Sequence, residues 1–304
     1  MEIQPTYEYA EDVLAAALEL ITLDGGCTLA VVSDTQGGAV RSPGAMMAVA
    51  RDGRRFGYLS GGCIDADAAL AATQALKSEK IAKQRYGAGS EIKDLALPCG
   101  GAIEVTFIPL IETKKISQFL CELRARRAVS FEIENDILIG SGRLRVEPKL
   151  AMRIAGKGAD LLALSRLAQV AGYRVRAQTP DAESAADLQR AGLCVEHLTT
   201  SNDLPEIEDD PYTAFVLMFH DLDWEVPLLR QALEGDAYYI GAVGSSRAQS
   251  SRLEALQLAG VKNTDRIHGP IGLVPSMRNA SGLAISTLAE LLSELQTHHL
   301  KAAA

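Results

Sequence analysis

The chain contains no apolar run approaching the roughly 18 uninterrupted residues that a membrane helix requires, so no transmembrane span is expected. It also lacks a cationic excess: 30 Lys and Arg stand against 39 Asp and Glu, a net charge of −9 at pH 7. That balance argues against a nucleic-acid binder, which needs a basic face to neutralise phosphates. The opening residues, Met1-Glu2-Ile3-Gln4-Pro5, do not follow the basic, apolar, small order of a secretory leader. There is no internal repeat and no low-complexity tract. The five cysteines are odd in number, widely spaced and without a C-x-x-C pair. A disulfide framework or zinc ribbon is therefore not expected, and free thiols in the cytoplasm are.

What is present reads as an ordinary soluble protein, with 47% hydrophobic and 23% charged residues over 304 positions. That length corresponds to about two domains. Helical spacing over 8–23 stops at Gly25-Gly26, and strands are predicted at 27–33, 45–50 and 55–59. An Ala-rich helix over 66–77 precedes a polar stretch, 78–94. A strand at 103–109, a helix at 113–127 and a strand pair across 129–146 complete a mixed α+β half. From Lys149 the pattern changes to alternating βα units. Strands are predicted at 151–155, 173–178, 193–198, 213–219 and 237–242, with helices at 159–171, 181–191, 223–234, 246–259 and 281–296. Such alternation predicts a parallel, Rossmann-like sheet covered on both faces. The expected organisation is an α/β protein with domains 1–148 and 149–304.

Four constellations could carry chemistry. In Gly61-Gly62-Cys63-Ile64-Asp65 two glycines permit a tight turn and close approach of a ligand. With Asp65 as N-cap, Cys63 would stand at a helix N-terminus, where the dipole favours thiolate and free N–H groups favour an anion. The plainer reading is a small apolar residue at a turn. Pro98-Cys99-Gly100-Gly101 repeats the pattern about 35 residues on, and two such thiols suit a soft metal or a sulfur-transfer task. The competing possibilities are a plain pair of tight turns and a Cys63–Cys99 disulfide that reports redox state. Cys27, Cys121 and Cys194 read as core residues.

The third is Gly156-Lys157-Gly158, which has the first two glycines of a dinucleotide turn; Leu161 replaces the third, and Gln178-Thr179-Pro180 stands where the ribose-binding acid is expected. The fourth gathers His220-Asp221, Gly244-Ser245 and His268-Gly269-Pro270 at the C-terminal ends of strands, where open parallel sheets bind ligands. A histidine in such a loop also serves for capping or packing.

Several segments resemble the XdhC/CoxI accessory proteins of molybdenum hydroxylases. They are Arg41-Ser42-Pro43-Gly44-Ala45-Met46-Met47, Ser60 to Asp65, Leu97 to Gly101 with Ile103-Glu104-Val105, Phe219-His220-Asp221, Tyr239 to Ser245, and Ile267 to Leu273. The resemblance implies a two-domain homodimer that binds molybdenum cofactor (molybdopterin), assists its sulfuration and delivers it to a xanthine dehydrogenase-type client. A cysteine desulfurase is the implied sulfur source. By position, Cys63 and Cys99 become candidate ligands of the cofactor or its metal. Gly61, Gly62, Gly100 and Gly101 would shape the pocket, with Arg41 as an anion contact. Asp65, Gly156, Gly158, His220, Ser245 and His268 are further candidates. The chain departs from the family at Asp65, Ala159, Thr179 and Val274-Pro275. Two rival readings are an NAD(P)-dependent oxidoreductase with His220 or His268 as acid/base, and a scaffold with inert thiols.

Overall fold

The computed structural model describes residues 7–38, 41–90, 100–134 and 137–302. The chain divides into two compact units, Gln4–Lys149 and Leu150–Ala304.

The first unit runs α1 (Ala10–Asp24), β1 (Cys27–Gln36), β2 (Met46–Ala50), β3 (Arg55–Gly57), α2 (Asp65–Ser78), β4 (Ala82–Gly87), β5 (Ala102–Leu110) and α3 (Lys114–Arg124). A hairpin of β6 (Val129–Glu134) and β7 (Ile137–Val146) completes it. The sheet is antiparallel, in the order β3-β2-β1-β5-β4. Strand pleating sends Cys27, Leu29 and Val31 to one face, where they pack with α1, α3 and the hairpin. Ala30 and Val32 go to the other face, under α2. With both faces covered, β1 reads as an unbroken apolar run and not as an alternation.

Strand β4 lies inside the stretch that the sequence presents as merely polar. It is an edge strand paired with β5, so Lys83 and Arg85 can stand toward solvent while Tyr86 enters the core. The Tyr86 hydroxyl donates to Asp67 at 2.9 Å.

The second unit alternates β8 (Ala151–Gly156), α4 (Gly158–Val170), β9 (Arg174–Thr179), α5 (Ala182–Arg190), β10 (Cys194–His197), β11 (Thr213–Met218), α6 (Leu222–Glu234), β12 (Tyr239–Ala242) and α7 (Ser246–Leu258). It ends with β13 (Ile267–His268) and α8 (Ala280–Ala302). The expected Rossmann-like sheet is present: six parallel strands in the order β10-β9-β8-β11-β12-β13. Residues of α4, α5 and α8 pack on one face, and those of α6 and α7 on the other. The two-residue β13 is too short to show a period in sequence.

Two buried arginines tie this unit together. Arg153 on β8 donates through Nε to Asp209 at 2.9 Å and through Nη1 to Gln178 and Gln231. Its guanidinium lies 4.0 Å above the Phe215 ring. Arg252 on α7 meets Glu225 at 2.8 Å and the Val243 carbonyl at 2.8 Å.

Of the three cysteines expected in the core, only Cys27 is buried. Cys121 is exposed on α3, whose core side is Ile116, Phe119, Leu120 and Leu123. Cys194 is exposed because it opens β10, an edge strand.

Candidate functional site

Strand register gathers the first unit's motifs at one end of its sheet. Gly57 of β3 pairs with Met47 near the start of β2, and Met46 pairs with Val31 in the middle of β1. Gln36 at the end of β1 pairs with Ala102 at the start of β5, which also pairs with Gly87 at the end of β4. The loop carrying Arg41, the turn carrying Cys63, and Gly100-Gly101 therefore all leave from the same sheet end. Cys99 itself lies outside the described residues.

The Cys63 turn is built around Ser60 and Asp65. Asp65 is the first residue of α2 and does not act as its N-cap, a position held by Ile64. Its buried carboxylate reaches back along the chain and accepts from the Leu59 and Ser60 N–H groups, both at 3.0 Å. The Ser60 hydroxyl oxygen in turn accepts from the N–H groups of Gly62 (3.1 Å) and Ile64 (3.3 Å). Those donors are thus satisfied inside the turn, against the expectation of an open anion nest. What the turn presents outward is the thiol: Cys63 is exposed. A Cβ on Gly61 or Gly62 would meet nothing within 4 Å, and Gly62 has φ +106. Open space thus surrounds the two glycines that precede Cys63 in the turn.

Gly101 differs from Gly100. A Cβ there would lie 2.3 Å from the Gly38 carbonyl oxygen and 2.8 Å from that of Gln36, so only glycine fits. Gly100 has φ +70 and open surroundings.

Arg41 donates through Nη1 to the Glu8 carboxylate at 3.2 Å and to the Tyr58 hydroxyl at 3.3 Å. Its Nη2 donates to the Glu8 carbonyl at 2.7 Å, and its guanidinium carbon sits 4.6 Å from the Tyr58 ring centre. Burial pushes the Tyr58 hydroxyl above its ordinary pKa, and the neighbouring Glu8 and Asp65 charges add to this while Arg41 opposes it. Glu8 and Tyr58 carry no motif. Their separations of 33 and 17 residues from Arg41 leave no periodic trace, so only folding reveals them.

In the second unit the candidates also share an edge, the C-terminal ends of the parallel strands. Gly156 ends β8 opposite Met218 of β11, and its missing Cβ would sit 2.5 Å from the Met218 Cβ. Gly158 opens α4 with φ +74, and its N–H donates to the Ser184 hydroxyl at 2.9 Å. Leu161, in the third glycine's place, is fully buried in the core. At the end of β9, Gln178 and Thr179 are buried; Asp181 caps α5 by accepting from Ser184 N–H at 2.7 Å. Those hydrogen bonds hold the Asp181 carboxyl below its usual range. His220 is exposed beside Asp221, the N-cap of α6, and Ser245 caps α7. His268 stacks on Tyr239 at 4.7 Å between ring centres. Among the described residues, no group of three or more His, Cys, Asp or Glu side chains converges as a metal site.

Residues 20–87 match the family described as XdhC and CoxI, and residues 152–291 match the XdhC Rossmann domain. The chain is 31% identical over 297 residues to the molybdenum cofactor insertion chaperone PaoD of Escherichia coli K12, covering 92% of this chain and 87% of that protein. It is 23% identical to a Bacillus subtilis 168 protein described as a probable xanthine dehydrogenase component, covering 87% of this chain and 92% of that one. A Bacillus halodurans crystal structure described as a xanthine dehydrogenase has the same fold, with a TM-score of 0.75, 21% identity, and coverage of 94% and 96%. Among the described residues, no helix is long and apolar enough to cross a membrane.

Proposed function

The chain belongs to the XdhC and CoxI family, and on that footing we propose that it is an accessory chaperone of molybdenum cofactor. It binds the cofactor as cargo, assists its sulfuration, and helps insert it into a xanthine dehydrogenase-family client in the cytoplasm. A cysteine desulfurase is the matching sulfur donor, and a homodimer the working form. The observation that carries this reading is the exposed Cys63 thiol, set beside two open glycines and at the same sheet end as Arg41 and Gly100-Gly101. A soft thiolate suits molybdenum or sulfane sulfur, and Cys99 adjoins Gly100 in the chain. Arg41, at that same sheet end, offers a contact for an anionic group of the cargo.

Anaerobic binding of isolated molybdenum cofactor to the wild type, Cys63→Ala and Cys99→Ala tests the reading. Loss of a thiolate contact is expected to weaken binding about tenfold, the scale of one charge-assisted contact. Unchanged affinity in both variants would remove the thiols from the site.

An NAD(P)-dependent oxidoreductase has less support. The Gly158 N–H that would meet a pyrophosphate is bonded to Ser184, Asp181 is engaged as a cap, and His268 is packed on Tyr239. Calorimetry with NAD and NADP in the same preparations discriminates, since binding at millimolar ligand would restore that reading.

A further inference from the structure

Arg41 is held by an acceptor set that resembles a substitute for a ligand. A guanidinium recognises carboxylate or phosphate best through two parallel N–H groups on one edge. Here the Nη2 of that edge is spent on a single carbonyl oxygen, that of Glu8. Its companion, the Nε N–H, is buried and, among the described residues, has no acceptor. The side chain is only 16% exposed, and an acceptor that met this donor would come from the Nε–Nη2 side. The Glu8 carboxylate, 46% exposed, meets the guanidinium at Nη1 and leaves the Nε–Nη2 edge to its carbonyl.

Glu8 is presented to Arg41 by its neighbours. The Tyr7 ring meets Phe56 at 5.1 Å, edge to face, and Lys149 Nζ lies 5.3 Å from the Tyr9 ring centre. Tyr7 takes φ 52, which a residue with a side chain rarely adopts. This short strap therefore holds a carboxylate and a carbonyl over the guanidinium. Tyr58 joins both parts, since its hydroxyl accepts from Arg41 and it lies five residues before Cys63 in the same loop.

We propose that Arg41 and Tyr58 form a binding site for the phosphate monoester of an anionic cargo, and that Glu8 occupies this site in the free protein as an internal stand-in. An arriving phosphate would take the Nε–Nη2 edge of Arg41, displace the Glu8 carbonyl, and accept the Tyr58 O–H. Charge repulsion between Glu8 and the incoming anion sets a threshold for loading. The proposal rests on the chaperone reading only for the identity of the cargo.

Titration calorimetry with inorganic phosphate and with phenyl phosphate tests it without any molybdenum cofactor. Glu8→Gln removes the competing charge and keeps the hydrogen-bonding shape; it is expected to bind phosphate about fivefold tighter than wild type, the most that a half-exposed ion pair contributes. Arg41→Lys, which keeps the charge but lacks the fork, is expected to lose at least about tenfold. Cys63→Ala is expected to bind phosphate as wild type does while binding cofactor about tenfold more weakly, so failure of the cysteine reading and failure of this one give different results. Equal phosphate affinity in wild type and Glu8→Gln, or no phosphate binding by either, would overturn the proposal. Glu8→Gln carries the test alone if Arg41→Lys fails to fold.

Discussion

Cys27 and Cys63 are the same residue type in the same unit with opposite surroundings. Cys27 is fully buried on β1, where its thiol faces the Ala17 carbonyl at 3.6 Å, and burial pushes its pKa from the ordinary 9.0 up to about 12. Folding therefore keeps a proton that the unfolded chain releases once pH passes 9.0. Stability from this group is complete below that pH and declines as pH rises toward about 12. The decline approaches about 1.4 kcal/mol per pH unit. Burial also raises the Tyr86 and Tyr239 pKa values, but their ordinary value is 10.0, so Cys27 acts first. Urea midpoints measured between pH 9.0 and 10.0 should fall more steeply for wild type than for Cys27→Ala. Parallel slopes would mean that the Cys27 thiol ionises in the folded state as readily as in the unfolded one.

Glycines show how an element can depend on one missing atom. Gly156 and Gly158 belong to the same turn but are required for different reasons. At Gly156 a Cβ would strike the Met218 Cβ at 2.5 Å and the Met218 carbonyl oxygen at 2.9 Å, within the β8–β11 pairing at the centre of the sheet. Gly156→Ala should force the strands apart and cost about 2–3 kcal/mol. At Gly158 the space is open and only the left-handed backbone is strained, so Gly158→Ala should cost about 1 kcal/mol. Denaturant midpoints of the two variants check the order, and a larger loss at Gly158 would contradict it. The element scale is also where periodicity failed: β4 and β13 were hidden, one by its polar edge face and the other by its length.

At the scale of the whole molecule, the described residues of Gln4–Lys149 form two core clusters and those of Leu150–Ala304 form two. Arg153 and Asp209 are both nearly fully buried, so removing one leaves the other as an uncompensated charge. Arg153→Met should destabilise the second unit by about 3–5 kcal/mol, and adding Asp209→Leu should recover most of the loss. Trp224, the chain's single tryptophan, stacks on Phe219 at 6.0 Å and reports on that unit. Its emission midpoint should drop in Arg153→Met while the alkylation protection of Cys27 in the other unit is retained. Coincident loss of both signals would show that the units unfold together.

The alternation of strands and helices after Lys149 and the glycine-flanked cysteines were legible in the sequence, because hydrophobic period and turn chemistry are local properties. Local order likewise disclosed the parallel Rossmann-like sheet and the helix ahead of β1. Tertiary structure alone decided which cysteines are buried, since an edge strand and a solvent-facing helix side look the same as core positions in sequence. It turned Asp65 from a cap into the brace of the Cys63 turn. It also brought Glu8 and Tyr58 onto Arg41. Such contacts join residues far apart in the chain, and a carboxylate's partner is set by distance in space, which no sequence period encodes.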